Sequence, residues 1–229
     1  MKLVTLILPI VSLLVLSAHP IQPGTRAPQS MAAIAAQDSD ARPLSGEVTI
    51  EPGLSIGPLK LGDTRERALE LFPKKNEDLE WQNSCGTTLD WVDAENRTGH
   101  GELFIRLKKG KIFQIESTTT RFHTPEGITT FDHADKVAGA YKDLRAYTLL
   151  TQPVPALGDR PLVFWVDKKR GIAFVFAYYP AEHKRYLYKI IIFESNKNFC
   201  PEEETTGSPK WQPISPYALE PPAELAPNL

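Results

Sequence analysis

The sequence predicts an α+β fold made of two tandem copies of one unit, each a helix followed by a three-stranded antiparallel sheet, with disordered proline-rich ends. Two observations support this prediction. Three matched motifs occur twice and in the same order in the middle of the chain, and proline-rich segments without periodicity flank them on both sides. The two copies are expected at residues 47–122 and 123–200.

The composition fits one or two ordinary domains and disfavours a nucleic-acid partner. The 229 residues include 26 Lys and Arg against 28 Asp and Glu, which gives a formal net charge of -2. Because nucleic-acid binding requires a basic surface, we expect no nucleic-acid partner. With 41% hydrophobic residues, the chain can bury a core.

Residues 1–18 are predicted to be a secretory signal peptide. The basic start Met1-Lys2 precedes an apolar run that extends from Leu3 to Ala18. This run is shorter than a typical membrane-spanning helix, so we expect no stable membrane span after cleavage. The mature protein is therefore expected to be exported, either to a periplasm or out of the cell.

The segments 19–46 and 201–229 are predicted to be a disordered linker and a disordered tail. Both are rich in proline and show neither a strand period nor a helix period. Segments of this composition cannot offset the entropy of ordering the chain. The two aromatic residues of the tail, Trp211 and Tyr217, are therefore expected to be unpacked.

The first matched motif predicts the start of a helix in each copy. The segment 59–68 matches 128–137, so that Asp63 corresponds to Asp132. Each aspartate is expected to cap its helix by accepting hydrogen bonds from the first free backbone N–H groups. The same alignment places Phe131 of the second copy where the first copy has Gly62.

Three strands are predicted after each helix. The first of them carries a tryptophan, Trp91 in one copy and Trp165 in the other, and alternating or continuous apolar runs indicate the next two. The paired segments are 89–93 with 163–167, 103–107 with 172–179, and 111–117 with 189–195.

The Gly-Asp-Thr start of the first helix at 62–64, the tryptophan-bearing strand and the hairpin at 103–112 resemble the repeat of small bacterial envelope proteins of the BamE/SmpA type. Two such units in tandem resemble the architecture of the β-lactamase inhibitory protein. The resemblance implies protein–protein binding in the envelope or outside the cell, without catalysis. It transfers no functional residue, because the matched positions look structural.

Cys85 and Cys200 are predicted to form a disulfide. They are the two cysteines of the chain, and cysteines of an exported protein with an even count usually pair. The bond would clamp the end of the second copy to the first copy. Two buried thiols are the alternative.

The strands of the second copy are apolar on both faces, whereas a sheet with one covered face should alternate. Either other elements cover the second face, or some aromatic residues remain exposed as a recognition surface. Tyr and Trp dominate protein-binding hot spots, so they are the candidates for such a surface. These candidates are Trp91, Trp165, Tyr178, Tyr179, Tyr186 and Tyr188.

We therefore expect a non-enzymatic exported protein that binds another exported or envelope protein, as an inhibitor-like protein or an envelope assembly factor. Two alternatives stay open: a small secreted hydrolase that uses Ser55, and a small-molecule carrier with a pocket between the two copies. Ser55 lies in a Gly-x-Ser-x-Gly pattern at 53–57, but Pro52 and Pro58 flank it, unlike a strand-to-helix nucleophile elbow. No metal-binding or nucleotide-binding motif is present, so we predict no cofactor.

Overall fold

The protein is mainly β. A computed structural model of the chain describes residues 48–72, 80–83, 85–91, 103–149, 160–200 and 211–220. Strands account for 48% of the described residues and helices for 11%. The predicted signal peptide at 1–18 and the predicted linker at 19–46 lie outside this part of the chain.

The described residues form two short helices and thirteen strands. None of the helices found in them is long and apolar enough to cross a bilayer. The helices are α1 (Arg65–Leu71) and α2 (Ala134–Ala140). The strands are β1 (Val48–Glu51), β2 (Ser55–Ile56), β3 (Leu59–Lys60), β4 (Glu80–Asn83), β5 (Gly86–Trp91), β6 (Leu103–Lys108), β7 (Lys111–Ser117), β8 (Phe122–His123), β9 (Arg145–Leu149), β10 (Val163–Asp167), β11 (Ile172–Tyr179), β12 (Lys184–Phe193) and β13 (Trp211–Pro213).

The strands form a small sheet and a large sheet. The small sheet has the order β3-β2-β1-β8, in which β1 and β8 run parallel. The large sheet is antiparallel and has the order β13-β9-β10-β11-β12-β7-β6-β5-β4. Two four-stranded meanders, β4 to β7 and β9 to β12, are therefore joined edge to edge. The junction is the pairing of β7 with β12, from Ile190 opposite Ser117 to Phe193 opposite Gln114.

The predicted fold class, two units of one helix and a three-stranded sheet, is wrong. Each helix has only seven residues, and strands β4 to β7 after α1 and β9 to β12 after α2 belong to one continuous nine-stranded sheet. Strand β4 has the mostly polar sequence EWQN, so hydrophobic periodicity does not indicate it. Strands β2 and β3 have two residues each, too few for any period to show.

The resemblance to BamE/SmpA-type repeats and to the β-lactamase inhibitory protein is contradicted by this topology. A seven-residue helix is about 10 Å long, whereas nine strands spaced about 4.8 Å apart span roughly 40 Å. Two such helices cannot form the helical layer that an α+β repeat requires. The two helices share the cover of the large sheet with the small sheet, with loops and with the C-terminal segment.

The two aspartates expected to cap the helices have a different role. Thr64 is the N-cap of α1. Asp63 accepts a hydrogen bond from the backbone N–H of Lys60 at 2.9 Å, and Asp132 accepts one from that of Thr129 at 2.8 Å. Each aspartate thus closes the turn that leads into its helix.

The main core lies between one face of the large sheet and the layer formed by α1, α2 and the small sheet. Ala68 of α1, Val137 of α2 and Ile50 of the small sheet are buried against it. The large sheet contributes, among others, Leu103, Ile105, Ile115, Trp165, Phe174, Phe176, Leu187, Ile190 and Ile192.

The opposite face of β9 to β12 is apolar as well, and it carries a second core. Phe199, which follows β12, stacks on Phe193 with ring centroids 5.0 Å apart, and Trp211 of β13 packs 4.8 Å from Phe164. The buried members are Leu149, Phe164, Val166, Ala173, Val175, Ile191 and Phe193. Because both faces are covered, these strands show no alternation.

Residues 211–220, which fall in the segment predicted to be a disordered tail, are attached to the large sheet. As β13, Trp211–Pro213 pairs with β9. The following residues lie against the main core, where the indole N–H of Trp165 donates to the carbonyl of Ala218 at 2.9 Å and Arg185 binds Glu220 at 3.0 Å. The rest of that segment, 201–210 and 221–229, lies outside the described residues.

Cys85 and Cys200 are joined by a disulfide, as predicted, with their Cα atoms 5.8 Å apart. The backbone of Cys200 is also held by the side chain of Gln114 in β7. Its N–H donates to Oε1 of Gln114 at 2.7 Å, and Nε2 of Gln114 donates to its carbonyl at 2.8 Å. The chain after β12 is therefore tied to the first meander by one covalent bond and two hydrogen bonds.

Three buried charged side chains lie where the two meanders meet. They are Arg106 of β6, Glu116 of β7 and Lys189 of β12. Lys189 Nζ lies 2.9 Å from Glu116 Oε2, and Arg106 Nε donates to Glu116 Oε1. Burial alone would raise the pKa of Glu116, but Lys189 and Arg106 hold the pKa below its ordinary value. Glu116 is therefore an ionised carboxylate between two cations, and we call these three residues the charge triad.

Removing the disulfide should destabilise the fold strongly. The two cysteines are 115 residues apart in the sequence, so their bond restricts a long loop in the unfolded chain. The chain-entropy estimate for such a loop is about 4–5 kcal/mol, and the C85A/C200A variant should lose about that much free energy of unfolding. Urea unfolding followed by circular dichroism measures it. Equal midpoints for oxidised wild type and the double variant would contradict the prediction.

Neutralising Glu116 should also be costly, because it leaves Arg106 and Lys189 buried without their carboxylate. We expect E116Q to lower the free energy of unfolding by about 3–5 kcal/mol. The matched control is E194Q at an exposed position, which should change it by less than about 0.5 kcal/mol. If both variants unfold at the same urea concentration, the charge triad contributes nothing to stability.

Candidate functional site

The hairpin of β11 and β12 extends beyond both neighbouring strands. The pairing of β10 with β11 ends at Val163 opposite Phe176, and that of β7 with β12 ends at Ile190 opposite Ser117. Residues 177–186 form a two-stranded projection past these points, with a turn between Tyr179 and Lys184. The turn at the end of this hairpin, residues 180–184, is exposed.

Four rings from two separate segments meet on this hairpin. Tyr179 and Tyr186 lie in edge contact, with centroids 5.5 Å apart. Phe131 lies 6.1 Å from Tyr179, and His133 lies 5.2 Å from Tyr186. Phe131 is 52% exposed, His133 is exposed, and the two tyrosines are half-buried. We call Phe131, His133, Tyr179 and Tyr186 the aromatic patch.

The loop that carries Phe131 is fixed to the hairpin by backbone hydrogen bonds. The N–H of Phe131 donates to the carbonyl of Leu187 at 2.6 Å, and the N–H of Leu187 donates to the carbonyl of Asp132 at 3.2 Å. The Asp132 carboxylate is itself bound by Lys136 at 2.8 Å. These bonds hold the patch in place without a partner.

The patch is uncharged at its tyrosines near neutral pH. Burial, together with the nearby Glu182 carboxylate, raises the pKa of Tyr179. A hydrogen bond to Glu182 raises the pKa of Tyr186. Both phenols therefore stay protonated and can offer an apolar ring together with a polar hydroxyl.

Two of the predicted tyrosines lie outside the patch. Tyr178 is 8% exposed, and Arg160 stacks on its ring at 3.9 Å. Tyr188 is the extra residue of a β-bulge, because Val175 pairs with Lys189 while Phe176 pairs with Leu187. It is half-buried, and Lys189 Nζ lies 5.7 Å from the centroid of its ring.

The two predicted tryptophans lie in one row of residues that crosses the large sheet, at the two ends of that row. The row runs Trp165, Phe174, Ile190, Ser117, Leu103 and Trp91. Trp165 is 2% exposed and contacts Phe176 and Tyr217, whereas Trp91 is half-buried and packs on Phe72 at 5.3 Å. Trp165 is therefore a core residue, and neither tryptophan joins the patch.

Phe131 and His133 of the aromatic patch were not among the candidate residues predicted from the sequence. Phe131 has a backbone φ of +66°, in the left-handed region that side chains rarely adopt, and Gly62, aligned with it, has a φ of +88°. A large apolar residue in a position that suits glycine is unfavourable for folding and is exposed here. That replacement was the one sequence signal that could have located this part of the patch.

The hydrolase pattern lies in the small sheet. Ser55 is 5% exposed in β2, which pairs with β1 and β3 and leads into no helix directly. Gly53 is needed where the chain meets the turn after β10, because a Cβ atom there would lie 2.7 Å from the carbonyl oxygen of Arg170. Within the described residues, no group of three or more His, Cys, Asp or Glu side chains could hold a metal ion.

Asp90 of β5 is an acidic residue with a strongly raised pKa near the charge triad. It lies opposite Phe104, on the face of the sheet that carries Glu116. Its Oδ1 atom is buried and has no hydrogen-bond partner among the described residues. Burial raises the pKa of Asp90 to about 6, although Lys189 opposes the shift.

Asp90 should make the protein less stable as the pH rises. Its pKa in the folded state lies above the ordinary 3.8, so the folded protein holds the proton more tightly than the unfolded chain does. The contribution of Asp90 to the free energy of unfolding should fall between about pH 4 and pH 6, by about 1 kcal/mol for a half-buried group. The stability of D90N relative to wild type should therefore rise by that amount over this range, because the other titrating groups are common to both proteins. Urea unfolding of both proteins at pH 4 and pH 6 tests this, and an unchanged difference between them would contradict it.

Comparison with known proteins assigns no family. No protein-family model matches the chain, and no curated protein is similar to it. Among solved structures, the crystal structure of the uncharacterized protein yfeY from Escherichia coli is similar, with 14% sequence identity and a TM-score of 0.41 over 65% of this chain and 99% of that one. A likeness of this size assigns neither a fold nor a function.

Proposed function

We propose that this protein is exported and acts, without catalysis, by binding another protein through the aromatic patch, as an inhibitor-like protein or an envelope assembly factor. The observation that carries the proposal is the cluster of four contacting rings at the end of a projecting hairpin, with Phe131 more than half exposed. A large exposed side chain at such a place gains free energy when a partner covers it.

The residue types and their support both suit recognition of a protein surface. Tyr side chains bury much apolar area while losing few rotamers, and they are enriched at hot spots. The loop of Phe131 is already bonded to Leu187 on the hairpin. Because the patch is held in place before binding, little ordering entropy opposes the association.

Export is supported by the disulfide and by the sequence of the first 18 residues. A disulfide between Cys85 and Cys200 is consistent with a non-cytoplasmic protein, since such bonds persist in oxidising compartments. The apolar leader at 1–18 is typical of a secretory signal peptide. The partner would accordingly be another exported or envelope protein.

The test is capture of a partner with a matched set of variants. Wild type, Y179S/Y186S and the control W81S are immobilised and exposed to envelope and medium fractions of the source organism. Trp81 is also an exposed aromatic residue, 40% accessible, but it lies on β4 outside the patch. A partner should bind wild type and W81S alike, and Y179S/Y186S at least about tenfold more weakly, as loss of hot-spot side chains produces.

The captured protein is then titrated in pure form against the same three chains. Circular dichroism checks that Y179S/Y186S keeps the wild-type fold. Equal affinity of all three chains for the partner would contradict binding through the patch. Retention of no protein by the wild type in either fraction would contradict the proposal as a whole.

A further inference from the structure

A cavity opens at the end of the large sheet where β9 begins and β10 ends. Its volume is about 820 Å³, within the range of about 300–1,000 Å³ that is usual for small-molecule sites. The turn after β10, the chain after β12 and the start of the C-terminal segment form its walls. The aromatic patch lies at the opposite end of β11 and β12, so the two features are separate.

The inner wall of the cavity is apolar and aromatic. Val166 and Tyr147 come from the sheet, Phe199 follows β12, and Trp211 belongs to β13. The ring of Trp211 lies 5.8 Å from Tyr147 and 5.4 Å from Phe199, each in an edge-on arrangement. This wall suits an apolar or aromatic body.

The rim of the cavity is strongly cationic, although the whole chain is slightly acidic. Of its two carboxylates, Asp143 lies 3.9 Å from Lys169, and the buried Asp167 accepts a hydrogen bond from the N–H of Arg170 at 3.0 Å. The cationic residues are Lys142, Arg145, Lys168, Lys169 and Lys197. An excess of positive charge beside an apolar wall favours an anionic ligand.

Arg145 and Lys197 are the two cations available to a ligand. Two others already bind within the protein: Lys142 Nζ donates to the carbonyl of Ala138 at 3.0 Å, and Lys168 Nζ donates to Oδ1 of Asn198 at 2.8 Å. Arg145 and Lys197, in contrast, form no ion pair with any residue in the described part of the chain, and both are exposed. They line different walls of the cavity, Arg145 at the start of β9 and Lys197 on the chain after β12.

We propose that this cavity binds a small, freely soluble amphipathic anion, with its apolar or aromatic body against Tyr147, Phe199 and Trp211 and its carboxylate or sulfonate held by Arg145 and Lys197. The site differs from the aromatic patch in position and in chemistry. The two proposals can therefore fail independently. The variant that tests the aromatic patch, Y179S/Y186S, changes no residue that lines this cavity.

The probe is 8-anilinonaphthalene-1-sulfonate, which combines two aromatic groups with one sulfonate. Titrated into the full chain, it should bind saturably at one site, and laurate should displace it. R145Q and K197Q should each weaken binding by about tenfold, as loss of one charge-assisted hydrogen bond does. The control K184Q, at an exposed lysine of the hairpin, should bind as wild type does. N-phenyl-1-naphthylamine, which lacks the sulfonate, should bind at least about tenfold more weakly.

Three results would overturn the proposal. The first is equal affinity of R145Q, K197Q and K184Q for the sulfonate. The second is equal affinity of wild type for the charged and the uncharged probe, which would indicate a merely apolar surface. The third comes from co-sedimentation with vesicles: binding to phosphatidylglycerol but not to phosphatidylcholine vesicles, lost in R145Q and K197Q, with no displacement of the probe by laurate, would assign the cations to a membrane surface.

Discussion

The pairing of β7 with β12 is the constraint on which the rest of the structure depends. Four residue pairs, from Ile190–Ser117 to Phe193–Gln114, join the two meanders. Without them, each meander would present an unpaired edge to solvent. The charge triad fixes the register of this junction. A slip by one residue would turn Lys189 away from Glu116 and toward the main core, where an unpaired ammonium is costly.

The junction also explains why the sheet needs cover on both faces. Nine strands offer far more apolar surface than two seven-residue helices and the small sheet can bury. Phe199 and Trp211 cover the second core, and both come from segments whose sequence shows no hydrophobic periodicity. The disulfide at Cys200 holds the first of these segments in place, and β13 holds the second. Covalent and strand-pairing constraints thus take the place of a second helical layer.

The sequence could predict what local pattern and cysteine chemistry determine. The central strands around Trp165, Phe174 and Ile190 have long apolar runs, and the two cysteines had one pairing open to them. The fold class could not be predicted from the same pattern, because continuity of the sheet depends on the pairing of β7 with β12, between residues more than 70 positions apart. The ordered structure of residues 211–220 could not be predicted from the sequence either. These residues are held by packing against the main core, and their sequence shows no strand or helix period.

The candidate site was predictable only in part, for a related reason. Tyr179 and Tyr186 were among the predicted residues, but their partners Phe131 and His133 come from a loop some 50 residues earlier. The residue Tyr178, adjacent to Tyr179, points to the other face of the hairpin, as alternation along a strand requires. Sequence reasoning could separate the two faces but not decide which of them is covered.

The C-terminal segment determines which face of the hairpin is covered. Glu220 binds Arg160 at 3.4 Å and Arg185 at 3.0 Å, and the Arg160 guanidinium lies over the ring of Tyr178. Arg185 also donates to the carbonyl of Pro161 at 2.8 Å, so the base of the hairpin is fixed to the chain before β10. One face of the hairpin is thereby closed by charged groups that hold each other. Among the described residues, the loop of Phe131 lies beside the other face, and Tyr179 and Tyr186 on that face stay partly exposed.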